Sequence, residues 1–149
     1  MSALYGILTG FIGSLGFGIL FNVRGKRLLA ASLGGFFAWG IFLALGLWIP
    51  DEAVRYFIVS VAVSAYCEVM ARVMRTPTTT FLMTALVPLI PGGGLYYTMT
   101  NAFSGNLEGF VGRGMTTLSL AVALALGVVV TTVATNVFIK FKINKEITK

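Results

Sequence analysis

The chain has 149 residues, of which 57% are hydrophobic and only 11% are charged, whereas soluble domains usually carry about 25% charged residues. This composition excludes a water-soluble domain of appreciable size, and the net charge of +6, spread over short clusters between apolar stretches, does not indicate nucleic-acid binding. With no histidine and only one cysteine, Cys67, the chain can form no intrachain disulfide and lacks the usual soft ligands of a metal site.

Five apolar stretches predict five transmembrane helices, because a helix needs roughly 20 apolar residues to cross about 30 Å of hydrocarbon. A cleavable signal peptide is not expected, since the first basic cluster follows the first stretch instead of preceding it. The predicted spans cover about residues 4–21, 28–49, 53–71, 78–99 and 115–139. The sequence therefore predicts an all-α, integral membrane bundle that forms a single transmembrane domain over residues 1–149.

The basic residues give this bundle an orientation. Most of them follow the first, third and fifth spans, at Arg24, Lys26, Arg27, Arg72, Arg75, Lys140, Lys142, Lys145 and Lys149. The opposite connections carry two basic and three acidic residues, Arg55, Arg113, Asp51, Glu52 and Glu108. Because connections rich in lysine and arginine stay in the cytoplasm, the N-terminus is predicted outside and the C-terminus inside. A six-span alternative, in which the fourth stretch crosses twice, would break this agreement.

The first span carries a stripe of small residues at four-residue spacing, Gly6, Gly10, Ser14 and Gly18. Small residues let a second helix approach closely, and such packing holds helices together in lipid. We predict a packing seam within the chain. The alternative is a seam against a partner subunit or a moving bundle.

The third span carries a polar face, formed by Ser60, Ser64, Glu68 and Arg72 at four-residue spacing. Measured from Ala53, Glu68 lies roughly 22 Å along the helix, in the cytoplasmic quarter of the membrane. A carboxylate at that depth is costly unless it is paired, protonated or facing water. One interpretation is a boundary salt bridge with Arg72 that fixes the depth of the helix. The other is a carboxylate in a polar cavity that carries a proton or an ion.

The fourth span is interrupted near its middle. The interruption contains two prolines and three consecutive glycines, Pro88, Pro91, Gly92, Gly93 and Gly94. Proline removes a backbone donor and glycine disfavours helix, so we predict a broken helix from Pro88 to Gly94. Broken backbone at that depth requires shelter from protein or a watery cavity, as in transporters, and we predict a site rather than a simple hinge. Tyr96 and Tyr97 either line this cavity or belong to an interfacial aromatic belt.

The fifth span has polar side chains at both ends, Thr116, Thr117, Ser119, Thr131, Thr132, Thr135 and Asn136. Such hydroxyls usually donate to carbonyls of their own helix, so none is predicted to be a ligand. The lysine-rich tail that follows is expected to anchor the helix at anionic headgroups.

Three segments form a pattern that is specific in its order and spacing. They are residues 16–22 with the basic cluster that follows, residues 68–72 with Arg75-Thr76-Pro77, and residues 87–93 with Tyr96. Together they resemble the small, five-span subunit of the threonine/serine exporter family, of the type that corresponds to a C-terminal half. The resemblance covers essentially the whole chain.

The resemblance implies a function that composition does not. Family members export small polar metabolites across the bacterial inner membrane, including threonine and serine, and in some two-subunit systems dicarboxylates such as succinate. A chain of this type is expected to work with a larger multi-span partner subunit, with assembly into a higher oligomer as a further option. The two halves would have opposite topologies, as in many inverted-repeat transporters.

From the residues and the resemblance together, the hypothesis is one subunit of a secondary exporter of small amino acids or carboxylates. The half-helix ends between Pro88 and Gly94, with Tyr96, would hold the substrate. Glu68 would carry the coupling proton, and Arg72 would influence the protonation of Glu68. Alternatives are a non-transporting assembly subunit and a passive channel. An enzyme is not expected, because the chain lacks a histidine-bearing dyad, paired carboxylates and a metal cluster, and no cofactor is predicted.

Overall fold

In the computed structural model, residues 2–147 are described, with side chains for residues 4–140. Six α-helices follow one another, and no strand occurs between residues 2 and 147. The helices are α1 (Ser2–Leu20), α2 (Lys26–Leu45), α3 (Glu52–Val73), α4 (Thr78–Leu86), α5 (Gly92–Phe103) and α6 (Leu107–Ile147). A 3-10 turn, Val87–Leu89, stands between α4 and α5. The prediction of an all-α bundle with a broken fourth span is confirmed.

Several helices have the length and composition of membrane spans. In the described part of the chain these are α2, α3 and residues Leu107–Lys140 of α6. The stretches Thr78–Leu89 and Gly92–Phe103 qualify as one bent pair, with an angle of 56° between them. A bend of this size leaves both halves advancing in the same overall direction, which is the geometry of a broken span. In α1, the apolar stretch Leu4–Leu20 is shorter than these spans.

The break is shorter than the sequence predicts. Pro88 has no N–H to donate to the carbonyl of Thr84, and α4 accordingly ends at Leu86. The backbone then turns through Val87–Leu89, and helix resumes at Gly92 directly after Pro91. The three glycines thus form the first turn of α5 instead of belonging to the break. Glycine lowers helix propensity but keeps its backbone donor, so it does not stop a helix as proline does.

Helix α6 begins earlier than the predicted fifth span. The side chain of Asn106 accepts a hydrogen bond from the N–H of Gly109 at 2.9 Å, and Glu108 lies in the first turn. Both features stabilise a helix N-terminus. Arg113, which the sequence assigned to a connection, is therefore a helical residue. Of the predicted C-terminal anchor, Lys149 and the side chains of Lys142 and Lys145 lie outside the described residues.

The small-residue stripe of α1 lies against α2, which runs antiparallel to it. A Cβ atom added to Gly10 would lie 3.2 Å from the carbonyl oxygen of Gly35, and one added to Gly35 would lie 2.9 Å from that of Gly10. Ser14 is buried against Gly35, and Trp39 packs over Gly10. The remaining stripe residues also face side chains of α2, Gly6 near Leu43 and Gly18 near Leu28.

The core surrounds α3. Its buried Val59, Val63 and Cys67 pack with Phe81 and Ala85 of α4 and with small residues of α2. The hydroxyl of Tyr66 donates to the carbonyl oxygen of Ala30 at 2.7 Å and ties α3 to α2. Helix α6 packs along α3 and runs in the same direction. The absence of a side chain at Gly127 lets Ser60 approach α6 closely.

The two ends of the bundle differ in charge. One end carries Arg24, Lys26, Arg27, Arg72 and Arg75, and we call it the basic end. The opposite end holds the starts of α3 and α6, with Asp51, Glu52 and Glu108.

Candidate functional site

A cavity of about 390 Å³ lies beside the break between α4 and α5. The backbone from Pro88 to Gly94 forms one side of it. Side chains from α2, α3, α5 and α6 form the rest, among them Trp39, Glu52, Tyr56, Tyr97, Arg113, Thr116 and Thr117. The broken backbone is thus sheltered by protein around an open space, as the physics of unwound membrane helices requires.

Two backbone donors of α5 border this cavity without an acceptor. The N–H of Gly92 donates to Ile90 at 2.7 Å, and the N–H of Leu95 donates to Pro91 at 3.1 Å. For Gly93 and Gly94, no hydrogen-bond acceptor occurs in the described part of the chain. The N-terminus of a helix carries a partial positive charge, so these donors suit an anionic group such as a carboxylate.

Two oppositely charged side chains line the same cavity. Glu52 is the first residue of α3, whose start is capped by Asp51 accepting from the N–H of Val54 at 3.1 Å. Arg113 comes from the second turn of α6, and its guanidinium lies 5.8 Å from the ring centroid of Tyr97. Glu52 and Arg113 form no ion pair with each other, since the one ion pair among the described side chains joins Arg72 to Glu68. Both charges therefore remain free to meet a ligand.

Four hydroxyls of α6 are hydrogen-bonded within their own helix. Thr116 donates to the carbonyl of Gly112 at 3.0 Å, and Thr117 donates to that of Arg113 at 2.8 Å. Ser119 and Thr131 also donate to carbonyls of α6. The expectation that such hydroxyls donate to carbonyls of their own helix is confirmed for these four residues. Their oxygens still have acceptor capacity, so Thr116 and Thr117 can accept a hydrogen bond from a molecule in the cavity.

Trp39 connects the α1–α2 seam to the cavity. The missing side chain at Gly10 leaves room for the Trp39 indole, which forms part of the cavity wall. A buried hydrophobic residue, Leu120 of α6, adds a further apolar surface. The close packing of α1 on α2 thus shapes a cavity that α1 itself does not line.

Glu68 and Arg72 lie elsewhere. The Nη2 atom of Arg72 donates to Oε2 of Glu68 at 3.3 Å, with 14% of the Glu68 side chain exposed and 51% of that of Arg72. Glu68 is roughly 24 Å from Glu52 along α3 at 1.5 Å per residue, near the basic end. The structure does not bring this pair to the cavity at the break.

Tyr96 also lies outside the cavity, whereas its neighbour Tyr97 lines it. Tyr96 is 67% exposed, and its ring stands edge-on to that of Tyr97 with centroids 5.4 Å apart.

Sequence reasoning missed Glu52 and Arg113 as candidate site residues because both were counted among the charges of the connections. The Asn106 cap was the signal that could have placed Arg113 on a helix.

The cavity offers charge and hydrogen-bond complementarity to a small polar molecule. It combines an acid, a guanidinium, two free N–H groups and two hydroxyl oxygens with an aromatic wall. Among the described residues, no three side chains of histidine, cysteine, aspartate or glutamate lie together in a way that could hold a metal ion.

Comparison with known proteins supports a transport role. The model of the family described as Threonine/Serine exporter, ThrE matches residues 6–134, well over half of the chain. Searches of curated proteins and of solved structures found no match. The family is one of transporters, and with the apolar helices described above it identifies a multi-pass membrane protein. The chain belongs to the threonine/serine exporter family.

Proposed function

We propose that the chain is one subunit of a secondary exporter in the bacterial inner membrane, and that the cavity at the break is its substrate site. The observation that carries this proposal is the pair Glu52 and Arg113, which line one cavity without pairing to each other. A free α-amino acid carries a positive and a negative charge as well, on the ammonium and carboxylate groups of its α-carbon. Transporter sites built on broken helices work in this way, with half-helix ends turned toward charged groups of the substrate.

The cavity groups suggest how a zwitterion would bind. Its carboxylate would accept hydrogen bonds from Arg113 and from the N–H groups of Gly93 and Gly94, at the positive end of α5. Its ammonium group would meet Glu52. A side-chain hydroxyl, as in threonine or serine, would donate to the oxygen of Thr116 or Thr117.

The same arrangement favours amino acids over dicarboxylates. A dicarboxylate would place its second negative charge near Glu52, and like charges at short range repel. The volume of about 390 Å³ also lies in the range of small-molecule pockets, which runs from about 300 to 1,000 Å³. We therefore propose a threonine- or serine-like substrate rather than succinate.

Proton coupling is proposed for Glu68. Its carboxylate is largely buried and is paired with an exposed arginine near the basic end. If the basic end faces the cytoplasm, as the positive-inside rule predicts, Glu68 would exchange protons on that side. A larger multi-span partner subunit is part of the proposal. It is supported by the resemblance to the small subunit of two-subunit family members.

Substrate counterflow in proteoliposomes tests the site, with the chain purified together with whatever subunit co-purifies from membranes. Glu52→Gln and Arg113→Gln should each weaken threonine binding, since a hydrogen bond to a charged group contributes about 1.5–3 kcal/mol, or roughly 10- to 150-fold in affinity. Glu108→Gln is the matched control, because Glu108 lies at the same end but does not line this cavity. Glu52→Gln should also lower the ratio of threonine counterflow to succinate counterflow.

Three outcomes would contradict the proposal in different ways. If all three variants showed the same counterflow as the unaltered protein, the cavity would not be part of the transport path. Undiminished counterflow by the co-purifying subunit alone would make this chain an assembly subunit. Flux that ignores the proton gradient would indicate a passive channel.

A further inference from the structure

A second cavity, of about 450 Å³, lies at the basic end of the bundle. One side is formed by the connection between α1 and α2, including Arg24, and by Arg27 in the first turn of α2. The other side is formed by Thr76, Pro77 and Thr80, where α4 begins. This cavity shares no residue with the one at the α4–α5 break.

The connection holds Arg24 in a defined position. Asn22 and Gly25 both have positive φ angles, 58° and 62°, so the chain turns tightly on either side of Arg24. The Nε atom of Arg24 donates to Oδ1 of Asn22 at 2.9 Å. Val23 is buried, and its N–H donates to the carbonyl of Gly18 at 2.9 Å. The arginine is thus supported by its own loop.

Among the side chains that the structure describes, no unpaired acid balances the positive charge of this cavity. Among the described side chains, Glu68 is the acid at this end, and it is paired with Arg72. The other described acids stand at the opposite end, Asp51, Glu52 and Glu108. Two guanidinium groups on one cavity without a carboxylate partner favour an anionic ligand, and arginine matches phosphate oxygens in a bidentate way.

The start of α4 lies beside the same cavity, which Pro77 and Thr80 line but Thr78 and Thr79 do not. Pro77 at the N-cap provides no side-chain cap, while the N–H of Thr80 donates to the carbonyl of Pro77 at 3.1 Å. The N–H groups of Thr78 and Thr79 have no acceptor in the described part of the chain. Their partial positive charge adds to that of the arginines.

We infer that this cavity binds the phosphate group of an anionic phospholipid. Next to it, Leu20 and Phe21 are 76% and 52% exposed, and they offer an apolar surface on which acyl chains can lie. A basic cavity between membrane helices with apolar surface beside it fits a lipid headgroup. A soluble phosphate compound would use the same arginines but would gain nothing from Leu20 and Phe21.

Native mass spectrometry of the purified chain with phosphatidylglycerol, phosphatidylcholine or glycerol 3-phosphate tests the inference. Phosphatidylglycerol should give a discrete bound species. Arg24→Gln or Arg27→Gln should weaken its binding by roughly tenfold, as loss of a charge-assisted contact predicts. Lys26→Gln is the matched control, since it removes the same charge between the two arginines but Lys26 does not line the cavity.

The outcomes separate the alternatives. If Lys26→Gln weakened phosphatidylglycerol binding as much as the arginine variants do, the lipid would be attracted by surface charge alone. This result would contradict a specific site in the cavity. Equally strong binding of glycerol 3-phosphate would assign the cavity to a soluble phosphate and overturn the lipid inference, as would equal retention of phosphatidylcholine. Arg24→Gln could fail to fold because the loop needs the hydrogen bond from Arg24 to Asn22. In that case Arg27→Gln gives the same test and leaves this hydrogen bond in place.

Discussion

Gly93 and Gly94 are neighbours in the first turn of α5, yet their surroundings differ. A Cβ atom at Gly93 would meet no atom within 4 Å, whereas one at Gly94 would lie 2.5 Å from Oγ1 of Thr117. Thr117 is buried and donates to the carbonyl of Arg113, so it cannot turn away without losing that hydrogen bond. Gly94 therefore permits the close approach of α5 to α6, and Gly93 leaves the cavity open.

This difference predicts opposite effects of two alanine substitutions on stability. Gly94→Ala should destabilise the protein by about 1–3 kcal/mol, the usual cost of overpacking. Gly93→Ala should be neutral or stabilise by about 0.5–1 kcal/mol, since alanine favours helix. Thermal unfolding in detergent checks both variants. Equal midpoints would contradict the close packing of Gly94 on Thr117.

At the scale of elements, α3 links the two acidic residues of the proposal. Glu52 stands at its first turn beside the cavity, and Glu68 lies roughly 24 Å further along the same helix at 1.5 Å per residue. A continuous helix cannot bring them together, so substrate binding and proton movement would occur at separate places. Coupling would then depend on a change of conformation, as alternating access requires.

Glu68→Gln should therefore separate coupling from binding. We expect threonine binding to stay within about twofold of the unaltered protein, because Glu68 does not line the cavity, while uptake driven by a proton gradient is lost. Equilibrium binding and gradient-driven transport in proteoliposomes measure the two properties independently. Normal gradient-driven transport in this variant would remove Glu68 from the mechanism.

The elements also show what the sequence could and could not predict. Pro88 and Pro91 remove backbone donors locally, so the break was predictable from the chain itself. The role of Glu52 was not, because its relation to Arg113 depends on α3 and α6 lying side by side, which sequence spacing does not reveal. The Glu68–Arg72 pair follows from four-residue spacing on one helix. Its distance from the cavity was not predictable, because the cavity extends from the break toward the opposite end, where Glu52 and Arg113 lie.

At the scale of the whole molecule, the two cavities lie at different levels of the bundle. The cavity at the break contains both signs of charge and lies toward the end with Asp51 and Glu108, whereas the cavity at the basic end is lined by two arginines. If the basic end faces the cytoplasm, as the positive-inside rule predicts, the headgroup site lies on the cytoplasmic side. The substrate site then lies deeper, toward the outer side. The central claim is that the first of these cavities holds the exported amino acid.

Substrate protection of an engineered thiol tests that claim most directly. Thr116→Cys places a thiol in the cavity wall, and Thr100→Cys places one on an exposed part of α5 outside it. The native Cys67 is fully buried and should react little. With a small thiol reagent, saturating threonine should slow labelling of Thr116→Cys by about tenfold or more and leave Thr100→Cys unchanged. Equal labelling rates of Thr116→Cys with and without threonine, in a protein shown to bind threonine, would contradict the account.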